Sequence, residues 1–165
     1  MSVTPINSKL FKAVSASTTA IAIAQTLGGA GNLNLTSSSV SDGSNMDTTV
    51  TLTSTGNISG VTFTVTGTDA SGSTITEDIT GPNNNTVAGS TKFLTVTQIA
   101  ADAAVSTNTS AGFSATTGTA GIIFAGGTRV RGLHGVSSST AGALIIRDGS
   151  QSGTKLLAVS YTHLT

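Results

Sequence analysis

Alternation of apolar and hydroxylated side chains is the feature that most restricts how this chain can fold. Residues 61–66 read VTFTVT, so Val61, Phe63 and Val65 fall on one side of an extended backbone and three threonines on the other. A period of two is that of a β-strand with one buried face. β-Branched and aromatic residues also fit a pleated sheet well. The segment therefore predicts a strand.

A turn follows this strand and brings the chain back. Residues 68–72 (TDASG) combine short polar side chains with a glycine that can adopt positive φ, and Ile75 and Ile79 then resume an apolar face. We predict a β-hairpin over residues 61–80. A second hairpin is predicted where ALII at 143–146 and LLAV at 156–159 flank the turn sequence RDGSQSG.

The same reasoning predicts further strands at residues 19–25, 32–36, 49–53 and 91–99, the last with a bulge or a change of face at Gln98. The sequence GPNNN at 81–85 predicts a loop. Residues 100–117 are small and polar, with Val105 and Phe113 as the sizeable apolar residues, and they predict a weak strand pair or a long connection. The consecutive apolar residues 122–124 predict a strand that is covered on both faces.

These elements predict an all-β protein. Its main part is an antiparallel β-sandwich over residues 19–117, preceded by an N-terminal arm at 1–18 and followed by a truncated second β module at 118–165. Carboxylates dominate before residues 117–121 and basic side chains after them, which supports a boundary there. The expected core consists of Ile21, Ile23, Leu33, Leu35, Val50, Leu52, Val61, Phe63, Val65, Ile75, Ile79, Phe93, Val96 and Ile99.

The composition bears on the partners. Charged residues make up 8% of the chain, against roughly 25% in typical domains, and the formal net charge is zero. A neutral chain has no overall field that attracts nucleic acid or an anionic membrane. There is no cysteine, so disulfides and thiolate metal sites are excluded. We expect protein partners, including copies of the chain itself, and no cofactor.

Few side chains qualify as candidate functional groups, and none indicates catalysis. Arg129 and Arg131 are two residues apart, so on a strand they share a face, where they either grip an acidic neighbour or a phosphate or form a solvated edge. His134 has no metal-ligating partner nearby in the sequence and is interpreted as a hydrogen-bonded strand or turn histidine. We predict no catalytic, cofactor-binding or metal site, and an interaction role for the two arginines.

Three carboxylates of the first hairpin are interpreted as structural. Glu77 and Asp78 are adjacent, so on a strand they point to opposite faces and cannot act together as acid and base. We predict that both are solvated. Asp69 is predicted to stabilise its turn, because the Asp and Asn spacing of calcium-binding loops is absent.

Two segments resemble structural proteins of tailed-bacteriophage virions, of a type common in marine viral data. Residues 53–83 and 91–102 contain, in order, the pattern TSTGN, GxTFTVTGTD, TExxTG and FxTVTxI, and Glu77 takes the place of a glutamate usual in that family. Residues 126–157, with RDG and SGTxLL, are similar to a second module of phage structural proteins.

The resemblance implies a non-enzymatic virion component, such as a head decoration protein or a head- or tail-fibre module, that acts through contacts with other virion proteins and with itself. A secreted bacterial adhesin or glycan-binding β module is the alternative. Sugar sites usually use aromatic platforms, and the absence of Trp counts against it.

Residues 159–165 (VSYTHLT) resemble the translation of a transposon-end sequencing adaptor, a known contaminant of metagenomic assemblies. This resemblance implies that the tail from about Val159 is not native. Tyr161 and His163 would then have no biological role.

Overall fold

The computed structural model describes residues 13–40, 46–115, 142–148 and 153–161. The chain divides into two compact units, residues 1–123 and 124–165. Within the described ranges the regular elements are β1 (Ser17–Leu27), β2 (Gly31–Asn32), β3 (Thr48–Ser54), β4 (Thr62–Thr68), β5 (Thr74–Thr80), β6 (Thr86–Phe93), β7 (Thr95–Ala101), β8 (Val105–Phe113), β9 (Gly142–Arg147) and β10 (Lys155–Tyr161).

The first unit contains two four-stranded antiparallel sheets. The first sheet has the order β1-β8-β3-β6, and the second has the order β2-β7-β4-β5. Apolar side chains from both sheets form one buried cluster between them, with Phe63 of β4, Phe93 of β6 and Phe113 of β8 as its largest members. The predicted antiparallel sandwich is therefore confirmed.

The core contains most of the residues expected from the sequence. Eleven predicted members are buried, and Leu35 and Ile75 pack against the cluster while partly exposed. The buried apolar residues that alternation missed are Ala22, Val40, Ile58, Ala101, Val105, Ala111 and Phe113.

Ile23 is the wrong member of the predicted core. Its side chain is 60% exposed, whereas the consecutive residues Ile21 and Ala22 are both fully buried. The pairing of β1 with β8 shifts register on either side of Ala22. Irregular pairing of this kind disrupts the two-residue alternation, so a prediction based on simple alternation fails here.

The predicted strand at residues 32–36 is also wrong. Pairing with β7 extends only over Gly31–Asn32. The Leu33 amide still donates to the Ile99 carbonyl, at 2.9 Å, but the Thr36 amide donates to the Ile21 carbonyl of β1, at 2.8 Å. The segment thus crosses from one sheet to the other instead of continuing a ladder.

The predicted strand at residues 91–99 is two strands in different sheets. β6 ends at Phe93 in the first sheet, and β7 begins at Thr95 in the second, so the chain changes sheet at Leu94. The expected irregularity near Gln98 is present as well. β4 residues Thr66 and Gly67 pair with Gln98 and Val96, which leaves one extra residue on β7.

The prediction of a weak strand pair or a long connection at residues 100–117 is wrong for β8. β8 is a nine-residue strand between β1 and β3, and its last five residues are all buried. Its small side chains permit close backbone approach: a methyl group on Gly112 would collide with the Ser17 carbonyl of β1. Small residues therefore mark a tightly packed inner strand here.

Both predicted hairpins are present. β4 pairs with β5 in regular register from Thr62↔Thr80 to Thr68↔Thr74, and Gly72 in the turn has φ +86°. In the second unit β9 pairs with β10, from Tyr161↔Gly142 to Lys155↔Arg147. The predicted strand at 122–124 lies outside the described residues.

Candidate interaction surfaces

The side chains predicted to mediate contacts fall where the structure does not describe the chain. Arg129, Arg131 and His134 lie between residues 116 and 141, outside the described residues. Their roles stay predictions. The described parts of the chain offer other charged groups, which divide between the sandwich and the β9–β10 hairpin.

Glu77 and Asp78 point to opposite faces of β5, as predicted, but Glu77 is half-buried and hydrogen-bonded to the protein. Its Oε1 accepts hydrogen bonds from the Ser90 amide at 2.6 Å, the Ser90 hydroxyl at 2.8 Å and the Thr91 amide at 3.1 Å. Those donors belong to β6, so one carboxylate joins an edge strand of the second sheet to an edge strand of the first.

The environment of Glu77 is tightly filled. Oε2 is buried without a hydrogen-bond partner among the described residues, and a methyl group on Gly89 would collide with it. Glu77 shares its side of β5 with Ile75 and Ile79, which pack on the core. Because residues 75, 77 and 79 are two positions apart, the sequence already placed Glu77 on the side of β5 that faces the core. The prediction of a solvated carboxylate overlooked this spacing.

Asp78 lies on the opposite side of β5, in a hydroxyl-rich surface. We define the outer face of the second sheet by the outward residues of its two hairpin strands: Thr62, Thr64, Thr66, Thr68, Thr74, Thr76, Asp78 and Thr80. The Thr64 hydroxyl donates to Asp78 Oδ1 at 2.7 Å. Across β4, Asp102 accepts a hydrogen bond from the Thr62 amide at 2.8 Å.

The outer face of the second sheet is thus flanked by two exposed carboxylates, Asp78 and Asp102. Their described hydrogen-bond donors, the Thr64 hydroxyl and the Thr62 amide, are uncharged.

Asp69 stabilises its turn, as predicted. Oδ1 accepts hydrogen bonds from the Ser71 hydroxyl at 2.6 Å, the Ser71 amide at 2.8 Å and the Ser73 amide at 2.9 Å. The Ser71 hydroxyl is the largest of the influences that lower the pKa of Asp69 below its usual value. A carboxylate held by three donors in this way favours its charged form.

The pKa of Asp47, just before β3, is shifted in the opposite direction from that of Asp69. Its side chain is buried, and Oδ1 has no hydrogen-bond partner among the described residues. Burial raises the pKa of Asp47, although the charge of Lys92 acts against the rise. Asp47 directly precedes Thr48, which pairs with Phe93 at the end of β6.

The β9–β10 hairpin presents a basic and apolar surface. Lys155 lies directly opposite Arg147 in the register, which places two cations side by side. The Arg147 guanidinium donates to the Gly153 carbonyl at 3.0 Å. Large apolar side chains are exposed nearby: Ile145 by 40%, Leu156 by 65% and Leu157 by 43%.

Within the described residues, no group of three or more His, Cys, Asp or Glu side chains is arranged to hold a metal ion. Nor do those residues include a helix with the length and hydropathy to span a membrane. No family model, curated protein or solved structure matches the chain.

Proposed function

We propose that this chain is a non-enzymatic structural component of a tailed-phage virion, either a head decoration protein or a module of a head or tail fibre. It acts through contacts with other virion proteins and with copies of itself. The observation that carries the proposal is the place of the phage-like sequence pattern in the fold: several of its residues make contacts that hold the sandwich together.

The first piece of the pattern, TSTGN, forms the end of β3 and the start of the connection that leaves it. The Ser54 hydroxyl is 2.7 Å from the Thr107 hydroxyl of β8. Gly56 also lies against the Thr107 side chain, leaving little room for a Cβ atom. Asn57 Oδ1 accepts hydrogen bonds from the Ser59 amide at 3.1 Å and hydroxyl at 2.8 Å. Each of these contacts fixes the loop.

The next two pieces, GxTFTVTGTD and TExxTG, form the β4–β5 hairpin. Gly67 lies against the Thr95 carbonyl and Gly81 against the Ile58 carbonyl, so closely that neither position has room for a Cβ atom. Asp69 fixes the turn, and Glu77 joins the two sheets. The pattern therefore specifies a rigid two-sheet scaffold.

A scaffold of this kind supports a role that depends on surfaces. The outer face of the second sheet offers hydroxyl groups, and the hairpin offers cations and apolar side chains. Both suit docking to protein. Particle proteins of this type need stable shape and repeated contact more than a chemical centre.

Immunogold electron microscopy tests the proposal. Antibodies raised against the recombinant chain are applied to tailed-phage particles purified from a sample whose sequence data contain this gene, with chain-adsorbed antibody as the control. We expect gold particles on the head or the tail. Labelling confined to bacterial surfaces, together with binding of the chain on a glycan array, would contradict the proposal and favour an adhesin.

A further inference from the structure

The two compact units carry opposite charge. Side chains of residues 1–123 include six acidic and three basic groups, a formal charge of −3, whereas residues 124–165 include four basic groups and one acidic group, a formal charge of +3. The neutral total of the chain thus conceals a strong separation. Two copies placed with unlike units together would attract each other.

The described residues show where these opposite charges lie on each unit. In the second unit, Arg147 and Lys155 occupy one rung of the hairpin, and like charges directly opposite each other are unfavourable in an isolated ribbon. Ile145 lies on the same side of β9 as Arg147, because the two residues are separated by two positions. This side of the ribbon therefore combines two cations with an exposed apolar side chain.

The matching surface lies on the sandwich. The outer face of the second sheet bears the exposed carboxylate Asp78 and is flanked by the exposed carboxylate Asp102. Their described hydrogen-bond donors, the Thr64 hydroxyl and the Thr62 amide, are uncharged. Threonine methyl groups between the carboxylates can receive an apolar side chain. A two-stranded ribbon is at best marginally stable in water and gains from a second layer.

We propose that the β9–β10 hairpin of one copy docks on the outer face of the second sheet of another copy through Ile145, Arg147 and Lys155, all of which precede the adaptor-like tail at Val159. The contact is heterologous, so each copy donates a hairpin and receives one, and repetition of the contact joins copies into a ring or a filament. The inference rests on the proposed function, because it names a second copy as one of the protein partners through which the chain acts.

A charge exchange on the full chain tests this contact. Lys155→Glu makes the hairpin surface more acidic, and Asp78→Lys makes the sandwich surface more basic. Each variant alone should associate about tenfold more weakly than the wild type in sedimentation velocity, because like charges then face each other. An equimolar mixture of the two variants should recover association, because each then offers the other an oppositely charged surface.

Two controls complete the design. Asn108→Lys places a cation on an exposed position of the first sheet and should leave association unchanged. Raising the salt concentration should weaken wild-type association, because both surfaces are exposed. Circular dichroism of each variant checks that the sandwich is intact.

The contact is overturned if the wild type stays monomeric at every concentration, if the mixture associates no better than its components, or if Asn108→Lys weakens association equally. The result is separable from that of the immunogold experiment. Recovery by the mixture together with unlabelled virions would keep the contact and reject the virion role, whereas labelled virions with a monomeric chain would do the reverse.

Discussion

The sandwich and the β9–β10 hairpin both contain apolar strands joined by turns with Asp and Gly, yet they bury their side chains to very different extents. Phe63 and Val65 of β4 are fully buried, whereas Leu156 and Leu157 of β10 are 65% and 43% exposed. β4 has a paired strand on each side, and its sheet is covered by the first sheet; β9 and β10 form a two-stranded sheet among the described residues. The local sequence pattern therefore determines where a strand forms, whereas packing against a second sheet determines whether its apolar side chains are buried.

This contrast assigns different tasks to the two regions. The sandwich supplies stability, because its apolar side chains are removed from water between two sheets. The hairpin keeps apolar and cationic side chains accessible, which is the property expected of a contact surface.

The largest expected effect comes from removing a core side chain. Phe63→Ala should lower the free energy of unfolding by about 3–5 kcal/mol, because it leaves a cavity in the core. Leu156→Ala is the matched change in the hairpin and should cost no more than about 0.5 kcal/mol, because that side chain is already exposed. Urea unfolding followed by circular dichroism measures both, and an equal loss in the two variants would contradict the comparison.

A second test concerns the small residues of β8. Gly112→Ala should destabilise the sandwich by about 1–3 kcal/mol, because the new methyl group collides with the Ser17 carbonyl of β1. Gly60→Ala is the control, since the space around Gly60 is open. Thermal unfolding compares the two variants, and a harmless Gly112→Ala would show that β1 and β8 are not packed closely.

The link between the sheets is tested by two neighbouring residues. Glu77→Gln should cost about 1–2 kcal/mol, because it weakens three charge-assisted hydrogen bonds and places an amide donor where no acceptor is described. Asp78→Asn, one residue further along β5, should have little effect on the free energy of unfolding. If chemical denaturation ranks the two variants in the opposite order, Glu77 does not connect the sheets.

The smallest expected effect is the pH dependence of the β4–β5 turn. The pKa of Asp69 is lowered in the folded protein, so its stabilisation is present above the unfolded pKa, near 3.9, and is lost as the pH falls through the folded pKa. The side chain is only partly buried, so solvent screening keeps the effect below about 1 kcal/mol. The difference in melting temperature between the wild type and Asp69→Asn should shrink below about pH 4, and a constant difference would argue against a charge effect.

The sequence was sufficient to predict the all-β class, both hairpins and most of the core. These features depend on local pattern: VTFTVT alternates strictly, and Gly72 and Asp69 mark a turn by their own chemistry. The structural role of Asp69 followed from the same chemistry.

Other features depend on distant parts of the chain and could not be predicted. The register shifts around Ile23 arise from pairing with β8, which is about 85 residues away in the sequence. The change of sheet at Leu94 lies within a continuous strand-like pattern, because consecutive strands in two sheets look like one long strand. The small residues of β8 were interpreted as too few apolar side chains for a stable strand. In the structure they permit close packing against β1.

Glu77 is the intermediate case. The sequence shows that Glu77 lies on the same side of β5 as Ile75 and Ile79. The hydrogen-bond donors that stabilise a carboxylate on that side come from β6. A buried carboxylate without donors is costly, so pattern alone favoured a solvated side chain. Only the approach of β6 to β5 reveals the role of Glu77.

Hydrogen exchange at two protein concentrations tests the central claim most directly, namely that the sandwich is stable by itself and the hairpin is completed by contact with another copy. At low concentration, amides of β3, β4 and β8 should exchange slowly and those of β9 and β10 quickly. At high concentration, β9 and β10 should gain protection while β3 and β8 stay unchanged. Hairpin amides that are as protected as β3 at both concentrations would contradict the account.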